Sequence, residues 1–186
     1  MDRTSLCEIA KKWGTDKVGH HEYTRFYYEL TKDRNASKVL EIGIGHPGCM
    51  WPAYRTGASL FMWEEWFPNA QIYAFDIEPS ILINRGRIRS VLCDQSNAES
   101  LRRAVSQTGG GFDLIVDDGS HIAEHQIVSA QVLAPYLSEY GVYVIEDVHV
   151  PPEQIISQIP KTFSCRVHVC PSPHLGNENL VVISRA

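Results

Sequence analysis

The chain has 186 residues, enough for one domain with a substantial core, and its 44% hydrophobic and 21% charged content is ordinary for a globular protein. A formal net charge of -5 without a Lys/Arg cluster argues against a nucleic-acid surface, and no apolar run approaches the ~20 residues that span a membrane. Five scattered cysteines (Cys7, Cys49, Cys93, Cys165, Cys170) contain no C-x-x-C, and Met1-Asp2-Arg3-Thr4 leads into an amphipathic segment rather than a secretory signal, so a reduced, cytoplasmic protein is expected.

Ser5-Leu6-Cys7-Glu8 matches a capping box, with Leu6, Ile9, Ala10 and Trp13 at helical spacing and Gly14 as the stop. The polar connector Thr15-Asp16-Lys17-Val18-Gly19-His20 leads to a second helix carrying Tyr23, Phe26, Tyr27 and Leu30. These helices, over 1–34, are expected to cap one side of a sheet formed within a core over 35–186. They serve as plain packing or as part of a site, and the polarity of the connector exceeds what a simple joint needs.

Lys38-Val39-Leu40-Glu41-Ile42-Gly43-Ile44-Gly45 reads as a first buried strand with a glycine turn. Gly43, Gly45 and Gly48 satisfy G-x-G-x-x-G, but Pro47 follows and no helix opens at the third glycine, which argues against a dinucleotide fingerprint. The loop through Trp51 and Tyr54 to Gly57 reads as a substrate lid or as aromatics folded onto the sheet edge. Helix signals return at Ser59 and stop at Pro68. Gln71 to Asp76 is the second strand and Arg89 to Gln95 the third, each ending in acid. A helix is expected over Ala98 to Gln107, then a buried strand from Phe112 to Asp117, with Ser120 as the cap of the following helix.

Val142-Tyr143-Val144-Ile145-Glu146-Asp147-Val148-His149 repeats the theme of the Phe112 strand, an apolar run ending in paired acids with a histidine shortly after. Parallel neighbours lie ~4.8 Å apart, so pairing would bring Asp117, Asp118, Glu146 and Asp147 to one end of the sheet. Such convergence is costly unless a cation is shared or protons are taken up. Pro151-Pro152 begins another short helix, and an alternating run from Phe163 to Val169 with Leu180-Val181-Val182-Ile183 reads as a closing antiparallel hairpin, its last strand inserted centrally. The alternation gives a doubly wound α/β fold, Rossmann-like, with a mostly parallel seven-stranded sheet.

In such sheets ligands bind beyond the carboxyl ends of the strands, where strand order reverses. Asp76 at the tip of the second strand is placed for a ribose diol, and Asp94-Gln95 for an adenine edge. Asp76 lies 33 positions after Gly43, longer than the ~20-residue gap of the NAD fingerprint.

The order of the glycine turn, Asp76 and Asp94-Gln95 resembles the class I S-adenosylmethionine-dependent methyltransferases. Gly14-Thr15-Asp16-Lys17, Ser59-Leu60-Phe61-Met62-Trp63, Asp117-Asp118-Gly119-Ser120-His121 and Ile145-Glu146-Asp147 are similar to the metal-dependent sugar O-methyltransferases of macrolide biosynthesis. The resemblance implies S-adenosylmethionine and Mg²⁺ as cofactors, with Asp118, Glu146 and Asp147 as metal ligands and His121 as general base. It implies cofactor contacts from Glu41, Gly43, Gly45, Asp76, Asp94, Gln95 and Asp117, and places Thr15 and Lys17 at the methionine end. The chain is shorter than relatives with an additional N-terminal domain, and its Gly45–Gly57 loop is longer than usual.

The acceptor implied is a small hydroxylated metabolite, a sugar or another natural product; the sequence leaves open its identity and whether the chain forms a homo-oligomer. Two other readings stand beside this one: a nicotinamide-dependent oxidoreductase on the same sheet, and a non-catalytic cofactor-binding module. His121 and His125, four apart, also form a candidate zinc or iron pair, and His149 a candidate pocket residue.

Overall fold

The computed structural model describes residues 3–46, 48, 55–172, 174 and 176–186, with side chains from Leu6 onward. Two helices, α1 (Arg3–Trp13) and α2 (Tyr23–Thr31), precede β1 (Lys38–Ile42). Then follow α3 (Ala58–Trp66), β2 (Gln71–Asp76), β3 (Asn84–Arg85), β4 (Ile88–Leu92), α4 (Ala98–Thr108) and β5 (Phe112–Asp117). The chain closes with α5 (Ala123–Leu133), β6 (Leu137–Ile145), α6 (Pro152–Ile156), β7 (Phe163–Ser172) and β8 (Gly176–Arg185).

The sheet order is β3-β4-β2-β1-β5-β6-β8-β7. β4, β2, β1, β5 and β6 run parallel, while β8 is antiparallel to both β6 and β7. The chain proceeds outward from β1 to β2 and β4, then returns to place β5 on the other side of β1, so the order reverses beside β1. One apolar cluster, including Leu6, Tyr27, Trp63 and Ile72, fills the α1–α3 side; the other, including Leu40, Leu101, Ala130 and Ile155, fills the α4–α6 side. Strands covered on both faces need continuous apolar runs, and β5 and β6 have them.

The hairpin lies as expected, with β8 inside and the alternating β7 at the edge. Eight strands replace the expected seven, the addition being two-residue β3, antiparallel to β4. It is too short for a periodic pattern and is stitched by Ser90, whose backbone N–H donates to Asn84 Oδ1 (3.2 Å) and whose hydroxyl donates to the Ile83 carbonyl (2.9 Å).

Two caps differ from expectation. α1 already runs from Arg3, so Ser5 lies inside it, and α5 begins only at Ala123 behind Ile122. Ser120 instead places its Oγ 2.9 Å from His125 Nδ1. The expected lid residues Trp51 and Tyr54 lie outside the described residues.

Candidate active site at the strand tips

Backbone hydrogen bonds carry the sheet register past the strand ends. Asp118 N–H donates to the Ile42 carbonyl (3.0 Å), Gly43 N–H to Phe75 (2.9 Å), Cys93 N–H to Asp76 (2.8 Å) and Glu146 N–H to Asp117 (2.9 Å). The glycine turn, Asp76, Asp118 and Glu146 therefore arrive at one level beside the reversal point. Gly43 has φ +93°, and a Cβ there would sit 2.1 Å from the Asp118 carbonyl oxygen, so only glycine lets the β1 and β5 tips close on each other.

A cavity of about 710 Å³ opens over these tips. Gly43, Gly45, Asp76, Asp94, Gln95, Asp118 and His121 line it together with Asp16. Asp76 accepts from the Ile44 N–H (2.8 Å) and the Glu78 N–H (2.9 Å), which fixes its carboxylate at the rim. Asp94 accepts from Ser96 N–H (2.9 Å) and Oγ (2.7 Å).

Gln95 is buried and turns its amide inward, its Nε2 donating to Asp117 while Oε1 accepts from Ser120 N–H at 3.0 Å. Asp117 is wholly buried, with Ser129 Oγ and Tyr143 OH also donating to it, and is not among the residues lining the cavity. Burial raises its carboxyl to about 6 against those hydrogen bonds. Asp117 thus organises the base of the loop rather than facing its contents. Glu41, Thr15, Lys17, Glu146 and Asp147 also lie off the cavity lining.

Lys17 has gone to the acids. Its ammonium is fully buried, 2.7 Å from Asp118 Oδ2, 2.6 Å from Glu146 Oε2 and 3.2 Å from Glu41 Oε1. Burial alone would lower its pKa, but Asp118, Glu146 and Glu41 outweigh this and raise it well above the usual lysine range. Glu41 in turn accepts from Trp63 Nε1 (2.8 Å), and burial raises it to about 7 against the pull of Lys17. Glu146 is bound on both oxygens, by Lys17 and by Tyr27 OH, with burial pushing its carboxyl up.

Asp118, His121 and Asp147 each turn a ligand atom toward one spot, within 4.8 Å of one another. His121 Nε2 lies 3.2 Å from Asp118 Oδ1 and 3.6 Å from Asp147 Oδ2. Burial opposes protonation of this imidazole, but the hydrogen bond and charge of Asp118, then Asp147, raise it to about 9. Asp118 is held below the ordinary range by Lys17 and His121 in spite of its burial. His121 (φ 57°) and Asp147 (φ 49°) are the two non-glycine residues with positive φ among those described. Such backbone costs ~1–3 kcal/mol per residue and persists where surrounding structure imposes it, commonly at sites. His125 is directed to Ser120, so the imagined His121–His125 metal pair does not assemble; His149 stands edge-on to His121, centroids 6.0 Å apart.

Tyr23, Tyr27, His21 and Glu178 reach the acids without having been singled out as site residues. Tyr23 OH donates to Asp147 Oδ1 at 2.6 Å, and His21 Nδ1 lies 2.7 Å from Glu178 Oε1. Tyr23 and Tyr27 carried only a helical apolar pattern, which conceals phenol hydroxyls aimed past the core. The polarity of the 15–20 connector was the available signal for Lys17 and its neighbours.

No protein-family model matches the chain. It is 40% identical over 149 residues to mycinamicin VI 2''-O-methyltransferase of Micromonospora griseorubida, covering 78% of this chain and 36% of that protein. Over 150 residues it is 37% identical to 8-demethyl-8-alpha-L-rhamnosyl tetracenomycin-C 2'-O-methyltransferase of Streptomyces olivaceus, covering 79% of this chain and 38% of that one. The structure of the MycE methyltransferase of mycinamycin biosynthesis, solved with Mg and S-adenosylhomocysteine, superposes with a TM-score of 0.78 at 28% identity, covering 97% of this chain and 54% of that one. The chain thus spans between about a third and a half of the length of these relatives. It has the class I S-adenosylmethionine-dependent methyltransferase fold, and its homologues are O-methyltransferases of macrolide and polyketide sugars.

Proposed function

We propose that the chain is the catalytic domain of an S-adenosylmethionine-dependent O-methyltransferase acting on a hydroxyl of a small glycosylated or otherwise hydroxylated natural product. The observation that carries it is the meeting of Asp147 with Asp118 and His121, of which the last two line the cavity over the Gly43 turn. Residues 1–34 cap the core over 35–186 and supply Lys17 to the site.

The donor set fits both cofactors. Closely approaching backbone at Gly43 and a rim carboxylate at Asp76 suit a nucleoside with a ribose diol, and the cavity is of ordinary small-ligand size. Glu41, Asp118 and Glu146 face the Lys17 ammonium while Asp147 stands beside Asp118 and His121, an oxygen-rich set that suits a hard dication. Asp118 and Asp147 are the residues that would hold it, with Glu146 behind them on Lys17. Bound there, Mg²⁺ lowers the pKa of a chelated hydroxyl and fixes its orientation.

Within this frame the chain's own residues position and deprotonate. Asp76 and the glycine turn hold the donor, Gln95 and Asp117 brace the 118–120 loop, and His121 Nε2 removes the acceptor proton. Alignment for in-line displacement supplies much of the rate, and a positioned base contributes ~100- to 10,000-fold. The relatives named as acting on mycinamicin VI and on rhamnosyl tetracenomycin-C motivate a sugar hydroxyl as the first acceptor to try.

The test is methyl transfer from labelled donor to a panel of macrolide and aromatic glycosides, with and without EDTA. Transfer that EDTA abolishes and Mg²⁺ restores supports the reading. Full activity in EDTA removes the metal from it, and tight NADH binding without S-adenosylhomocysteine binding removes the methyltransferase.

A further inference from the structure

Asp147 points its two oxygens in different directions. Oδ2 faces His121, and Oδ1 faces a second group made by Tyr23, His21 and Glu178. In that group His21, Asp147 and Glu178 again present ligand atoms within 4.8 Å of one another. The elements meeting there are the connector before α2, the turn after β6 and the start of β8.

The group is built and under-neutralised. His21 is 7% exposed, Asp147 8%, and the Glu178 side chain 10%. Tyr23 OH lies 2.6 Å from Asp147 Oδ1 and 3.3 Å from Glu178 Oε1, but it has one proton to give. The imidazole of His21 serves Glu178 Oε1 at 2.7 Å and stands 3.8 Å from Asp147 Oδ1. Independently of this cluster geometry, Glu178 Oε2 is a buried carboxylate oxygen without a hydrogen-bond partner among the described residues. Asp147 shares its charge between this group and His121, while Glu178 is answered only by the His21 imidazole and the Tyr23 phenol among the described residues, and buried carboxylates are normally satisfied by pairing or metal coordination. Stacking of Tyr23 on the His21 ring (centroids 4.7 Å) and edge contact from His20 (4.7 Å) fix the plane of that imidazole.

We propose that His21, Asp147 and Glu178 form a second divalent-cation site, joined to the first, held by Asp118 and Asp147, through the bridging carboxylate of Asp147. One imidazole with two carboxylates suits a transition-metal dication better than Mg²⁺. This inference rests on the proposed function only for the existence of the first site. Its expected consequence is a two-ion centre in which the second ion holds Asp147 in its left-handed backbone conformation and orients Oδ2.

Mn²⁺ is a transition-metal dication suited to carboxylate-rich sites, so it serves as the probe for both. Metal-stripped full-length chain is dialysed against Mn²⁺ and the bound ion counted by elemental analysis. The expected result is two ions per chain, falling to one in His21→Asn and one in Glu178→Gln, with unchanged far-UV circular dichroism certifying the fold. Wild type binding a single ion that neither substitution removes overturns the proposal and leaves a hydrogen-bonded network in its place. Asp118→Asn separates the two ideas: loss of one ion there bears on the functional reading, and loss in His21→Asn bears on this one.

Discussion

Lys17 places a fully buried ammonium between Asp118 and Glu146, with Glu41 within 3.2 Å. Removing one partner of such a cluster strands buried charge and costs ~3–5 kcal/mol. Lys17→Met is therefore expected to lower the unfolding free energy measured in urea by that amount, and so the midpoint, with Glu41→Gln recovering part of it in the double variant. An unchanged midpoint would show that the acids are neutralised by protons instead. His121 gives the pH dependence. Its folded pKa of about 9 lies above the ordinary histidine value near 6.5, so it stabilises the metal-free protein fully below ~6.5 and that contribution disappears as pH rises through 9. In thermal melts, the loss of stability between those limits is expected to be smaller in His121→Asn. As a base it works deprotonated, so kcat/KM is expected to rise with pH, with the midpoint moving down as Mg²⁺ offsets the charge of Asp118 and Asp147. The acids and His121 were legible in the sequence because they follow apolar runs. The pairing of the acids with Lys17 and Tyr27 was not, since a buried lysine and a surface one look alike until the strand partners are known, and Lys17 was expected at the methionine end of the cofactor instead.

At the scale of elements, the site depends on β1 and β5 ending level. Gly43→Ala puts a Cβ against the Asp118 carbonyl at a positive φ and is expected to weaken S-adenosylhomocysteine binding at least tenfold by calorimetry, a loss of ~1.4 kcal/mol or more. At the opposite end of β5, Asp113 accepts from Ser37 N–H (2.7 Å) and Oγ (2.9 Å), Lys38 N–H (3.1 Å) and Ser138 Oγ (2.7 Å), tying β1, β5 and β6 together. Burial opposes ionisation, but these bonds hold the carboxyl below its ordinary range. Its stabilisation is present above the unfolded pKa near 3.9 and is lost as pH falls through the lower folded value. Asp113→Ala is expected to cost ~1–3 kcal/mol at pH 7 in urea unfolding and progressively less in acid. Long strands and amphipathic helices were readable from periodicity, down to β8 lying inside β7. β3 and the true starts of α1 and α5 were not, because two residues carry no period and cap residues also bond within loops.

For the whole molecule, the order reversal beside β1 gathers residues from the connector before α2 and from the tips of β1, β2, β4 and β5 around one cavity. That gathering follows from apolar runs, crossovers and short strand lengths, so the cavity's place was foreseeable from sequence. Which acids face it was less so: Asp117 lies behind the wall, bound by Gln95, a pairing set by α5 packing Ser129 against them. The expected lid residues Trp51 and Tyr54 lie outside the described residues, and the relatives are two to three times longer than the stretch they share with this chain. The most direct measurement is a calorimetric titration of S-adenosylhomocysteine into the wild-type chain and Asp76→Ala. Saturable one-to-one binding, weakened roughly tenfold to a hundredfold by loss of the rim carboxylate, is the expected result. Absence of binding to the wild type, or equal affinity in both proteins, would contradict a donor site over the β1 and β2 tips.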